Sequence, residues 1–290
     1  MGDLTQDTTQ YTFGSIQLID ERSMTMNKIL IMGIFSAAAF TLTLATPLWA
    51  AIRTEVVTYY QGDVKLVGYL AYDETVKGPC PAVLVIHEWW GVNDYVKKRA
   101  DQLASLGYIA FAADIYGNGT VAADPQEAGA LAGKFRNGDR KLLRERANAG
   151  LQVLLNHPLA DKQRIVAIGY CFGGTTVLEL ARSGAPLAGV VSFHGGLDTP
   201  NPADAKNIKA RVLVLHGADD PNVPAAQVAA FAEEMRTAKV DWQMIAYGGA
   251  VHSFSNPASG SDPSKGVAYN EKADKRSWEH MKVFFAEIFR

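Results

Sequence analysis

From residue 54 onward, the pattern of apolar and polar residues switches repeatedly between strand-like and helix-like segments. Residues 54–60 and 64–72 flank the turn-like pair Gly62-Asp63 and predict a β-hairpin. The continuous apolar run over 81–87 is typical of a strand buried on both faces. The same pattern predicts further strands over 108–113, 164–170, 187–193, 211–216 and 241–247.

Helical patterns lie between these strands. A helix capped by Asn93 or Asp94 is expected to run to about residue 106, where Gly107 ends it. After a turn-rich loop over 114–125, helical pattern continues to about 156 with a break at 137–138, and further helices are predicted over 175–182, 224–238 and 270–289. Strands separated by helices favour an α/β fold with a mostly parallel central sheet flanked by helices. Residues 51–290 contain no repeat or linker, which indicates a single domain.

The segment that follows the predicted strand 164–170 carries the clearest chemistry. It reads Gly169-Tyr170-Cys171-Phe172-Gly173 and is followed by helical pattern, which is the layout of a nucleophile elbow with cysteine at the apex. Flanking glycines permit the sharp turn, and the positive end of the helix dipole favours a thiolate. Cys171 is therefore the candidate nucleophile.

A cysteine nucleophile needs a base, and the base needs an orienting carboxylate. In elbow enzymes the order along the chain is nucleophile, acid, histidine, with the last two on loops after later strands. Asp219 and Asp220 follow the strand 211–216, and His252 follows the strand 241–247. Either aspartate also suits a helix cap near Pro224.

The remaining histidines compete weakly for the role of base. His87, His194 and His216 end strands, and the glycine after each of the last two favours close packing there. His157 and His280 lie near helix segments and are expected at the surface. No spacing of histidines and carboxylates predicts a metal site.

The loop after the strand 81–87 reads His87-Glu88-Trp89-Trp90-Gly91. One oxyanion donor in elbow enzymes is the amide after the nucleophile, here Phe172, and the other comes from a loop early in the sheet, for which Trp89 is the candidate. Trp89 and Trp90 suit a pocket wall or the core. Glu88 is either a cleft carboxylate that restrains ionisation of Cys171 or an exposed loop residue.

The first 50 residues differ from the rest. Met26-Asn27-Lys28, the apolar run 29–44 and alanines 50–51 predict a secretory signal cleaved after Ala50, with a retained membrane anchor as the alternative. The acidic stretch before Met26 suggests that translation starts at Met26. A secreted or periplasmic location is expected, or a membrane-anchored one if the segment is retained, and the predicted domains are an extension with signal peptide (1–50) and one α/β domain (51–290).

Composition excludes several classes. The chain has 290 residues, of which 48% are hydrophobic, so a large core is expected. Residues 1–50 hold four of its 30 acidic and two of its 28 basic residues, which leaves 26 of each sign in 51–290. This neutral balance argues against nucleic-acid binding. Two cysteines, Cys80 and Cys171, exclude a disulfide scaffold, although one bridge between them stays open.

These residues resemble the dienelactone hydrolase family of α/β-hydrolases over nearly all of 54–290. The likeness rests on several segments: HEWWGVN from 87, LASLGY from 103, DIYG from 114, the elbow from 169, GADDPNVP from 217 and HSF from 252. It implies a single-domain α/β-hydrolase fold without a cofactor. It also implies a triad of Cys171, Asp220 and His252, and a Glu88 that holds the thiol in check until substrate binds.

Two departures from the family pattern concern the substrate. Members that cleave dienelactone resemble one another in carrying arginine two residues after the tyrosine that matches Tyr116, where this chain has Asn118. They carry a second arginine soon after His-Ser-Phe, where this chain has Asn256. Asparagine lacks the charge with which those arginines grip a carboxylate. The pocket is expected to include Trp90, Tyr116, Asn118, Phe254 and Asn256, with a substrate other than dienelactone.

The resulting prediction is a hydrolase that opens small-molecule esters or lactones through an acyl-thioester on Cys171. A thiol peptidase or acyltransferase on the same elbow, and a non-catalytic binding module of the same fold, are the alternatives. No stable membrane partner is expected after signal cleavage, and the oligomeric state is left open.

Overall fold

The computed structural model describes residues 51–290. The predicted signal segment, the start at Met26 and the cleavage after Ala50 lie outside the described residues. Within 51–290 no helix is both long and apolar enough to cross a bilayer.

One eight-stranded sheet organises the described chain. Its strands are β1 (Ile52–Gln61), β2 (Val64–Asp73), β3 (Cys80–Ile86), β4 (Ile109–Ala113), β5 (Ala160–Tyr170), β6 (Gly189–Phe193), β7 (Arg211–Gly217) and β8 (Trp242–Tyr247), in the order β1-β2-β4-β3-β5-β6-β7-β8. The first two form the predicted antiparallel hairpin, β2 pairs antiparallel with β4, and every later pairing is parallel. The expected mostly parallel sheet is confirmed.

Six helices flank this sheet: α1 (Asp94–Ala104), α2 (Pro125–Arg136), α3 (Lys141–Leu155), α4 (Phe172–Arg182), α5 (Ala225–Thr237) and α6 (Glu271–Ile288). One apolar core lies between the sheet and α2–α5, and a second lies between the sheet and α1 and α6. Coverage on both faces explains why β4 and β6 are buried at every position.

Several element bounds differ from the prediction. The helix α4 begins at Phe172 instead of residue 175, because it starts directly from the turn at Cys171. The strand β5 begins at Ala160 instead of residue 164, because Ala160 already pairs with Cys80 of β3. The polar residues 161–164 of β5 are partly or fully exposed, so they carry no apolar signal in the sequence. Both cysteines have free thiols, so the bridge between them is excluded.

Candidate active site

The elbow holds Cys171 in a strained backbone conformation. Its φ of 53° and ψ of −112° lie outside the usual regions for a residue with a side chain. A Cβ at Gly169 would clash with the carbonyl oxygen of Gly173, and one at Gly173 would clash with that of Ile86. Glycine is therefore required at both positions. The turn leaves the Cys171 side chain partly exposed while the residues around it are buried.

A chain of hydrogen bonds joins Cys171 to the two residues predicted with it. Nε2 of His252 lies 3.0 Å from Sγ of Cys171, and Nδ1 of His252 donates to Oδ2 of Asp220 at 2.8 Å. Asp220 and His252 follow β7 and β8, whose carboxyl ends meet at one edge of the sheet. Asp219 is instead exposed and accepts from the Gly249 amide at 2.9 Å. The geometry thus distinguishes the two aspartates that the spacing left open.

The hydrogen bonds that join Cys171, His252 and Asp220 favour the charged form of the histidine. Burial alone lowers the pKa of His252, but electrostatic attraction to Cys171 and the hydrogen bond to Asp220 outweigh it and raise the pKa to about 10. The Asp220 side chain is fully buried, and its other oxygen, Oδ1, accepts from the Asn222 amide at 2.8 Å. The carboxylate is therefore fixed on both sides, and it fixes the tautomer and orientation of the ring in turn.

The other strand-end histidines take structural positions. Nδ1 of His194 accepts from the amide of Cys171 at 3.1 Å, while its Nε2 lies 2.7 Å from Oγ of Ser255. Burial holds the pKa of His194 well below its usual value, so the ring is neutral. Nε2 of His87 accepts from the Ile115 amide at 3.3 Å, and His216 is buried. His157 and His280, expected at the surface, are half-buried.

Two backbone amides are available for an oxyanion. Among the backbone hydrogen bonds of residues 51–290, neither the Phe172 amide nor the Trp89 amide has an acceptor outside its own helix or strand. Phe172 is the first residue of α4, where an amide has no partner within the helix. The carbonyl of Trp89 accepts from the Tyr116 hydroxyl at 2.8 Å, which fixes the orientation of that segment.

Glu88 is buried at the end of β3, so the exposed-loop alternative is wrong. Its carboxylate accepts from Oγ of Ser253 at 2.6 Å and from Nδ2 of Asn256 at 2.5 Å. Burial raises the pKa of Glu88, and these two hydrogen bonds oppose the rise. Both carboxylate oxygens bond to the loop after His252, and the thiol bonds to the imidazole, so restraint of Cys171 ionisation by Glu88 stays a prediction.

A cavity of about 870 Å³ opens in front of Cys171. Its lining includes Trp89 and Trp90, whose rings meet edge to face, as well as Glu88, His252 and Asn256. Oδ1 of Asn256 accepts from the Ala258 amide, so both ends of this side chain bond within the protein. Because Trp89 and Trp90 both line the cavity, both form its wall.

Three residues expected around the substrate do not line this cavity. Phe254 is fully buried and packs on His194 and Tyr247. Tyr116 lies behind Trp89, to whose carbonyl it is bonded, and Asn118 is exposed on a turn with a φ of 56°. Sequence order after a strand did not reveal which side chains of these loops face the cavity.

Arg136, which the sequence pattern did not single out, does line the cavity. It ends α2, and its neighbour Phe135 packs in the core against Tyr116. Nothing in the spacing of α2 indicates that its last turn reaches this cavity. Among residues 51–290 no cluster of side chains has the arrangement of a metal site.

Comparison with known proteins identifies a family whose members are similar to this chain. The model of the dienelactone hydrolase family matches residues 66–289. A putative carboxymethylenebutenolidase of Saccharolobus solfataricus is 28% identical over 79% of this chain and 97% of its own length.

Two solved structures share 43% identity with this chain. The one designated m3DLH has a TM-score of 0.79 and is matched over 82% of this chain and 99% of its own. The other is a dienelactone hydrolase-like promiscuous phosphotriesterase from metagenomic libraries, with a TM-score of 0.77 over 82% and 98%. A putative dienelactone hydrolase from Klebsiella pneumoniae, 23% identical with a TM-score of 0.69 over 81% of this chain and 99% of its own, supports the α/β-hydrolase fold.

Proposed function

The chain belongs to the dienelactone hydrolase family and is a carboxylic ester hydrolase, and we propose that it cleaves its ester or lactone with Cys171, His252 and Asp220. The observation that carries this proposal is the continuous contact from Sγ through the imidazole to the buried carboxylate, at 3.0 and 2.8 Å. Such a chain supplies a nucleophile, a proton carrier and an orienting group in one line.

The first half of the reaction forms a thioester. The Cys171 thiolate, paired with the His252 imidazolium, attacks the substrate carbonyl carbon and forms the C–S bond. The amides of Phe172 and Trp89 hold the resulting oxyanion. When the C–O bond breaks, Nε2 of His252 gives its proton to the departing alkoxide, which leaves as an alcohol or stays attached as the opened lactone.

The second half releases the acid. The neutral ring of His252 takes a proton from water, and the hydroxide oxygen bonds to the thioester carbon. Collapse of this intermediate breaks the C–S bond, frees the carboxylic acid and restores the Cys171 thiolate beside the imidazolium. Asp220 takes no proton in either half of the reaction; its carboxylate accepts from Nδ1–H and orients the ring.

We also propose that dienelactone itself is not the natural substrate. Asn118 is exposed outside the cavity lining, and Asn256 uses its amide on Glu88. Neither position supplies a cation to a substrate carboxylate. A secreted or periplasmic location remains a proposal from the sequence.

Hydrolysis of 4-nitrophenyl butyrate by the chain from residue 51 tests the mechanism. We expect Cys171→Ala to abolish turnover and Cys80→Ala, which removes the other free thiol, to retain it. Acid quenching during turnover should trap a butyryl adduct on Cys171 that hydroxylamine removes. Full turnover by Cys171→Ala, or an adduct on another residue, refutes the proposal.

A further inference from the structure

The wall of the cavity holds one cationic side chain besides His252. Arg136 is the only arginine in the lining formed by residues 51–290, and that lining contains no lysine. Of the acidic lining residues, Glu88 is bonded to Ser253 and Asn256, and Asp94 is fully exposed at the start of α1. Besides His252, the guanidinium is thus the group in this wall that attracts an anion.

The partners of Arg136 leave most of its donors free. Nη2 donates to Oδ1 of Asp198 at 2.7 Å, which is the one side-chain hydrogen bond of the guanidinium within residues 51–290. Oδ2 of Asp198 is already bonded to Nη2 of Arg140, and Nη1 of Arg140 also donates to the Asp198 carbonyl at 2.5 Å. Because two arginines share this carboxylate, it does not saturate Arg136, which has five N–H donors.

The surrounding backbone positions the guanidinium and leaves space for it. Nε of Arg140 donates to the carbonyl of Arg136 at 3.0 Å, which fixes the end of α2. A Cβ at Gly196 would lie 2.5 Å from Nη2 of Arg136, so glycine at this lining position leaves room for the guanidinium where it stands. Gly196 follows β6, and the amide of Cys171 is bonded to Phe193 and His194 at the end of that strand. The cation and the nucleophile thus lie on one edge of the sheet.

We propose that Arg136 is the specificity-determining residue of this hydrolase and selects esters or lactones that carry an anionic group away from the scissile carbonyl. The proposal rests on the ester hydrolase function above. A guanidinium with free donors binds a carboxylate or a phosphonate in bidentate fashion, and Arg136 lines the same cavity as Cys171. The charge comes from α2, a different element from the loops that hold Asn118 and Asn256.

Three 4-nitrophenyl esters of equal chain length test this selection: those of adipic acid, 5-phosphonopentanoic acid and hexanoic acid. The first two carry an anion and the third is neutral. We expect the wild type to prefer at least one anionic ester, and Arg136→Gln to lower kcat/KM for it by about 10- to 100-fold, the range of one charge-assisted hydrogen-bond pair. The hexanoate ester should change less than about twofold, and Arg136→Lys should restore part of the loss.

Arg164→Gln is the matched control. Arg164 is 38% exposed against 40% for Arg136, and each donates to one aspartate at 2.7 Å, but Arg164 lies outside the cavity. Its substitution should leave all three rates unchanged. An equal loss on all three esters in Arg136→Gln, or a wild type without preference for either anion, overturns the proposal.

A binding measurement separates this proposal from the hydrolase mechanism. Adipic acid monoanilide and hexananilide are titrated against the protein, with quenching of tryptophan fluorescence from Trp89 and Trp90 as the readout. Tighter binding of the anionic amide that disappears in Arg136→Gln supports the subsite even if Cys171→Ala still hydrolyses esters. Equal binding of both amides by the wild type refutes it even if the triad acts as proposed.

Discussion

Replacement of Asp220 by Asn tests the link between the carboxylate and the imidazole. The difference between the ordinary pKa of 6.5 and the value of about 10 in the folded protein corresponds to about 5 kcal/mol in favour of the imidazolium. The interaction with Cys171 is the larger cause of the raised pKa, and Asp220 supplies one charge-assisted hydrogen bond, worth about 1.5–3 kcal/mol. Loss of that amount from a transition state that contains the imidazolium lowers kcat by about 10- to 150-fold.

The assay is ester hydrolysis between about pH 5 and pH 9, together with an NMR titration of His252 that extends to about pH 11, beyond the raised pKa of the imidazole. Because its folded pKa is raised, the stability that His252 contributes is complete below pH 6.5 and is lost as the pH rises through about 10. In Asp220→Asn this loss should occur at lower pH. Asp219→Asn is the control, since within residues 51–290 the only hydrogen bond of the Asp219 side chain is the one from the Gly249 amide. A variant at Asp220 that keeps both kcat and the His252 titration unchanged refutes this reasoning.

Three further outcomes concern stability. Gly169→Ala should lower the free energy of unfolding by about 3 kcal/mol or more in urea titrations, because its Cβ meets the Gly173 carbonyl, whereas Gly248→Ala, with open space around it, should change it little; equal losses would contradict the steric argument. Burial raises the pKa of Glu88, so wild-type stability should fall as the pH rises from 4.5 through the raised pKa, and Glu88→Gln should remove that fall; parallel profiles would show that burial does not govern this carboxyl. Asn93→Ala should lower the free energy of unfolding by about 1 kcal/mol by calorimetry, because Oδ1 of Asn93 caps α1 at the Val96 amide. An unchanged melting temperature would show that this cap does not stabilise the protein.

The fold and the order of the candidate triad follow from local patterns in the sequence. Continuous apolar runs mark the buried strands, and strand-end loops carry Cys171, Asp220 and His252 in the expected order. These features are predictable because each depends on neighbouring residues and on the shared edge of a parallel sheet.

The contacts of Glu88 and Arg136 depend on packing between distant segments. Ser253 and Asn256 bind Glu88 from 165 and 168 positions further along the chain, and Asp198 binds Arg136 from 62 positions away. Spacing says nothing about such pairs, since the loop after β8 must first fold against the end of β3. For the same reason the sequence did not separate Tyr116, which faces Trp89, from residues that face the cavity.

The separation of the candidate triad residues along the chain has a consequence for folding. Cys171 and His252 lie 81 positions apart, and His252 and Asp220 lie 32 apart, so the three meet only when β5, β7 and β8 share one sheet. A newly made or partly folded chain therefore carries an ordinary cysteine without a base beside it. Under the proposed mechanism, selective alkylation of Cys171 reports complete assembly of the sheet, and esterase activity measures the fraction of fully folded molecules in a preparation.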